Sequence, residues 1–181
     1  MMLIHPSHGY APASVLDSRL KAPAAFTSTA ALPIDIRRVT EATEVLRGGH
    51  LFDIKPTQTL AEEFMKQSSN HHVFFAYDRA TNYPVGFAIG IEVYSMDKPV
   101  EMMLSELGVD ESHRRQGIGF SLVNTIKDLA LERRCAGMWV PLEPCNEPAI
   151  RTYAKSGATT QSAHTFIMIM TWDFNEHNMQ G

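Results

Sequence analysis

The sequence predicts a mixed, mostly antiparallel sheet flanked by helices, an α/β (α+β) domain. Three observations carry this. Short runs rich in β-branched and aromatic residues, cut by turn clusters, fill the middle of the chain. The stretch from Ile118 to Ala130 repeats apolar residues three and four apart, as an amphipathic helix does. A second compact helix, 146–157, lies between two further apolar runs. The expected order is β-α-α-β-β-β-α-β-α-β.

The elements follow in turn. IDIRRV (34–39) alternates apolar and polar residues, the mark of a half-buried strand. Thr40 is the expected cap of a helix starting at Glu41 and ending near Gly48-Gly49. A second helix is expected from about Thr59 to Gln67, with Leu60, Phe64 and Met65 on one face. HVFFAYD (72–78), VGFAIGIEVYS (85–95) and 101–109 then form a meander, joined by RATNYP and MDKP. In the next helix Ile118, Leu122, Val123, Ile126, Leu129 and Ala130 make one stripe, and Gly137 is the expected stop. MWVPL (138–142) is a short strand. NEPAIRTYAKSG reads as a helix with Asn146 as N-cap, Pro148 in the first turn and Gly157 as terminator. HTFIMIMTW (164–172) is the expected last strand.

Composition bounds the function. The chain has 181 residues, 44% of them hydrophobic, enough for one packed domain. The formal net charge of -4, with no basic stripe, argues against nucleic-acid binding. No apolar run reaches the ~18 residues of a membrane helix. Cys135 and Cys145 offer neither a disulfide framework nor metal-ligand spacing, so reduced thiols, no metal and a cytoplasmic protein are expected. Residues 1–33, rich in Ala, Ser and Pro, read as an irregular arm packed on the domain or on a neighbouring subunit; 34–181 read as the domain.

HRRQGIG (113–119) sits where a strand gives way to a helix. A helix start carries unpaired N–H groups and partial positive charge, glycine lets an anion approach, and arginine adds charge that does not titrate. The stretch therefore reads as a pyrophosphate cradle. It is not the nucleotide P-loop, because Phe120-Ser121 follows the last glycine where Lys-Ser or Lys-Thr is needed. It is not the dinucleotide fingerprint either, because Leu122 stands at the third glycine position. On this motif alone a glycine-rich turn with solvated arginines stays open.

Two motifs together carry a resemblance. Arg114, Gly117 and Gly119, then Asn146, Ala149, Tyr153 and Gly157, match in type, spacing and order the two signatures of the GCN5-related N-acetyltransferase (GNAT) superfamily. The resemblance covers roughly residues 34–172. It implies the GNAT fold, with parallel strands 101–109 and 137–142 parted around the pantetheine arm of acetyl-CoA, the acyl donor. It implies that the Leu107-Gly108-Val109 backbone holds the pantetheine. The N–H groups of Arg115, Gln116, Gly117, Ile118 and Gly119 would face the pyrophosphate, with Arg114 beside them. Asn146 would touch the cofactor arm, cap its helix, or do both.

By the same resemblance, Tyr153 stands where the family keeps its general acid for the departing thiolate. The base is open between Glu106, Glu101 and a water relay, since Met103 occupies the position that serves in some members. Alternation puts the two glutamates on opposite strand faces unless a bulge intervenes. His113 reads as a capping or surface residue, His71-His72 lacks a third ligand, and Cys145 is not needed as a nucleophile. SELGVDESHRRQGI is also similar to the matching stretch of aminoglycoside 3-N-acetyltransferases. An aminoglycoside acceptor would suit acids at Glu92, Asp97, Glu143 and Glu147. Another small amine, a polyamine or a peptide N-terminus stays open, as does a non-catalytic acyl-CoA sensor. The apolar last strand suits a homodimer interface and a core equally.

Overall fold

A computed structural model describes residues 33–67, 69–163 and 167–174. The expected arm, Pro33 aside, and residues 164–166 of the expected last strand lie outside them. Along the chain run β1 (Ile34–Val39), α1 (Ala42–Arg47), α2 (Gln58–Met65), β2 (His71–Asp78), β3 (Pro84–Val93) and β4 (Glu101–Val109). They are followed by α3 (Ile118–Glu132), β5 (Gly137–Leu142), α4 (Glu147–Lys155), β6 (Thr159–Ala163) and β7 (Met168–Asp173). Short 3-10 turns occupy Gly49–Leu51 and Glu111–His113. The strands form one sheet in the order β1-β2-β3-β4-β5-β7-β6. Every neighbouring pair is antiparallel except β4–β5, which is parallel.

The α/β class is as expected, and the chain closes with a β6–β7 hairpin instead of one strand. β6 is a polar edge strand, Thr-Thr-Gln-Ser-Ala, with no apolar rhythm to reveal it. Helix ends also differ. Glu41, not Thr40, is the N-cap of α1, and its side chain makes no capping bond. Thr57 caps α2, its hydroxyl accepting from the Leu60 N–H at 3.3 Å. Leu60 is 58% exposed, so the buried residue of α2 is Ala61, with Phe64 and Met65 partly covered. α3 stops at Glu132, and Arg134 makes the left-handed turn (φ 58°). Gly137 instead opens β5, where a Cβ would lie 3.0 Å from the Trp172 carbonyl oxygen.

Two apolar layers sandwich the sheet. Ile118, Leu122, Val123, Ile126, Leu129 and Ala130 are the buried residues of α3, the stripe read from the sequence. They pack with Met102, Leu104, Met138, Tyr153 and Trp172. On the other face Val45 and Ala61 meet Val73, Phe75, Phe87 and Ile89. Gly108 shows how tightly strands meet this second layer: an added Cβ would lie 2.3 Å from Phe87 Cε1. Gly108→Ala is expected to cost about 1–3 kcal/mol in urea unfolding, because the ring must shift inside a packed core; an unchanged midpoint would contradict that contact.

Two backbone features place the site. β4 and β5 pair only at Met102↔Met138 and Met103↔Trp139, and beyond these rungs they part. The β3–β4 register also slips by one between Ile89↔Glu106 and Gly90↔Leu104, leaving Ser105 as an extra residue. The bulge reverses the alternation. Met102 and Leu104 face α3, while Glu106 joins the α1–α2 face, the face to which alternation also assigns Glu101.

Candidate active site

A groove of about 840 Å³ opens beside the parted end of β4. It brings together Leu107, Gly108, Val109, Arg114, Arg115, Gly117, Ile118, Gly119, Asn146 and Tyr153. His113, Phe120, Arg151, Thr152 and Lys155 line it too, and among the described residues no carboxylate does. Gln116 is not among its lining residues; its side chain donates to the Ser112 carbonyl at 3.4 Å.

The loop into α3 has the backbone form an anion needs. Arg115 (φ 61°) and Gly117 (φ 88°) are both left-handed. Alternating left- and right-handed residues turns successive N–H groups toward one concavity. Among the described residues, nothing accepts from the N–H groups of Arg115 through Phe120, six in a row. A non-glycine residue at positive φ costs of order 1 kcal/mol, and such strain gathers at functional loops. Arg114 is pinned, its Nε donating to the Val109 carbonyl at 3.0 Å, which leaves that oxygen a second lone pair. On α4, Arg151 pairs with Glu147 at 2.9 Å and Lys155 Nζ lies 4.9 Å from the centre of the Phe120 ring. Arg151 and Lys155 sit four apart on one helix face, a spacing that could have flagged both as groove cations.

Asn146 is a helix cap, its side-chain oxygen accepting from the Ala149 N–H at 3.2 Å, and it also lines the groove. Tyr153 stands about two turns further along α4. Its ring meets Trp172 edge-on, centroids 5.9 Å apart. The Trp172 indole N–H in turn donates to the Ser156 carbonyl at 3.1 Å, fixing the contact. Burial pushes the Tyr153 phenol up to about 12, and its hydroxyl has no hydrogen-bond partner among the described residues. It is therefore a proton-bearing donor at any working pH.

The two candidate bases are not together. Glu101 lies at the paired end of β4 and Glu106 beyond the parting, about 16 Å along the strand. Neither lines the groove. Glu106 instead lines a smaller cavity of about 130 Å³ under α1 and α2, with Phe52, Phe64, Val73 and Ile89 among its walls. Glu106 is exposed by area, yet burial on that side, and then the charge of Asp53, push its carboxyl above the usual glutamate value.

Glu92, expected among substrate-side acids, is overturned. It is 4% exposed on β3 and accepts from Arg133 Nε at 2.6 Å, Tyr94 OH at 2.8 Å and His72 at 2.8 Å. His72 Nδ1 lies 2.7 Å from Arg38 Nη2. Arginine only donates, so Nδ1 accepts, and Nε2 carries the proton given to Glu92. His72 is thus neutral: burial lowers its pKa, and the Arg38 charge adds to that against the Glu92 contact. Of the other expected acids, Glu147 pairs with Arg151, and neither Asp97 nor Glu143 lines the groove or the cavity. Among the described residues no group of three His, Cys, Asp or Glu is arranged for a metal, and no helix is long and apolar enough to cross a membrane.

The model of the acetyltransferase (GNAT) family matches residues 40–158, more than half the chain and all of the groove's elements. The chain belongs to this family. The acetyltransferase is an enzyme class member that uses acetyl-CoA. Its fold recurs in several solved structures. An aminoglycoside acetyltransferase from an uncultured soil metagenomic sample, solved with sisomicin, superposes with a TM-score of 0.64 at 20% identity, over 73% of this chain and 93% of that one. The NatC complex bound to Gag peptide and CoA gives 0.64 at 14%, over 78% and 99%. The yncA protein of Salmonella typhimurium, solved with its cofactor acetyl-CoA, gives 0.63 at 16%, over 81% and 96%. At these identities the likeness shows the acetyltransferase fold.

Proposed function

We propose that the protein moves the acetyl group of acetyl-CoA directly to a primary amine of a small molecule. One observation supports this most: five residues with unpaired N–H groups (Arg115, Gly117, Ile118, Gly119 and Phe120), four cationic side chains and Tyr153, whose hydroxyl has no partner among the described residues, share a single groove. The N–H fan and the cations suit a diphosphate. The parted edge of β4, at Leu107–Val109, suits the amides of the pantetheine arm. The acceptor, deprotonated at nitrogen, attacks the thioester carbon as the carbon–sulfur bond breaks. Its protons leave to the Glu106 carboxylate or to water, and Tyr153 donates a hydrogen bond to the sulfur. The products are an N-acetyl amide, coenzyme A thiol and one proton. A sensor would need the cradle but not the tyrosine.

Gly119 gives a clean test of the cradle. A Cβ there would sit 3.8 Å from Thr152 and Val109, ordinary contact, inside the groove. Alanine also favours a helix over glycine by nearly 1 kcal/mol. Gly119→Ala should keep or raise the melting temperature while weakening acetyl-CoA about tenfold by calorimetry. Unchanged affinity would place the diphosphate elsewhere. Release of thiol from acetyl-CoA in the presence of primary amines tests the transfer itself.

A further inference from the structure

We infer that the acceptor is a single primary ammonium on an apolar group of about six carbons, seated in the cavity between α1, α2 and the sheet. This rests on the transfer reading above and narrows it. The cavity holds about 130 Å³, and among the described residues Glu106 is its one charged lining residue. Val45, Phe52, Leu60, Phe64, Val73 and Ile89 supply most of the remaining wall. An apolar cavity of about 150 Å³ takes benzene, which sets the size of group that fits. One carboxylate satisfies one ammonium. Inside the cavity a polycation would press its other charges against phenylalanine and leucine, and the further carboxylate that acts on Glu106, Asp53, lies outside the lining.

Position joins this cavity to the donor. Glu106 lies beyond the last β4–β5 rung, and the next residue, Leu107, lines the donor groove. β4 and β5 are no longer paired at this level, so an amine held at Glu106 would lie one residue along the strand from the donor groove. The raised Glu106 carboxyl is a better proton acceptor than an ordinary glutamate, consistent with its drawing the proton from the bound ammonium.

The test is kcat/KM by thiol release with acetyl-CoA and six amines: ethylamine, isoamylamine, 2-phenylethylamine, 2-(1-naphthyl)ethylamine, spermidine and kanamycin. Isoamylamine and 2-phenylethylamine are expected to exceed ethylamine, spermidine and kanamycin by about tenfold or more, with the naphthyl compound falling again. Ala61→Leu, which extends a buried side chain into the cavity, is expected to erase that advantage without changing acetyl-CoA affinity. Should that variant fail to fold, the size series on the wild type still decides. Equal or better turnover of spermidine or kanamycin overturns the inference and leaves acetyl transfer standing. Acetyl-CoA binding with no turnover of any amine overturns the transfer reading beneath it.

Discussion

Tyr153→Phe is expected to lower kcat about 10²-fold while leaving acetyl-CoA affinity within about twofold. The ring is 5% exposed and braced edge-on by Trp172, so phenylalanine keeps the packing. Only the hydroxyl goes, and it has no protein partner among the described residues whose loss would unsettle the fold. Stability should hold, since no hydrogen bond within the described residues is lost. The kinetic loss follows from chemistry. A phenol at about 12 does not surrender its proton to a thiolate whose acid form sits near a pKa of about 8.5. It gives a charge-assisted hydrogen bond as negative charge grows on sulfur, and about 2.7 kcal/mol of that stabilisation corresponds to the 10². Single-turnover thiol release measures it, and an unchanged rate removes Tyr153 from the chemistry.

Glu92→Gln is expected to cost about 3 kcal/mol of stability at neutral pH, read from urea unfolding. Burial pushes the Glu92 carboxyl up, but hydrogen bonds from Arg133, Tyr94 and His72 and the Arg133 charge more than reverse it, to about 2 from an ordinary 4.5. A depressed carboxyl stabilises the fold above its unfolded value. That contribution, about 3 kcal/mol, drains away as pH falls from 4.5 toward 2. His72 acts in the same direction and earlier: its folded pKa lies below the ordinary 6.5, so unfolded chains take up the proton first as the medium acidifies. The wild type should therefore weaken below about pH 6.5 and again below 4.5. In Glu92→Gln the second decline should shrink, leaving the part that belongs to Asp78, Asp97 and Asp110, whose carboxyls are also held below the ordinary value by hydrogen bonds. A variant as stable as wild type would show that these bonds contribute nothing net.

Much of the groove was legible because its parts are local. Arg114, Gly117 and Gly119 fall within one turn of chain, and Asn146 and Tyr153 within one short helix, so spacing reports geometry. The α3 stripe was legible for the same reason. What escaped depends on distant partners. Glu92 read as a free acid because His72, itself held by Arg38, and Arg133 reach it from elements scattered along the sequence. One extra residue at Ser105 returned Glu106 to the face of Glu101, and no local pattern marks a bulge. β6 escaped because an edge strand with polar side chains resembles a loop until β7 is placed beside it.

The gap between β4 and β5 gives the sheet a third border, internal to the molecule. Outer borders of sheets invite other chains to add themselves and form aggregates. This one is walled by the residues of α3 and α4 that line the groove, so it can be completed only by something as thin as a linear amide chain. The two halves of the sheet meet through two rungs alone, and whatever fills the breach also splices them, coupling occupancy to the rigidity of the whole sheet.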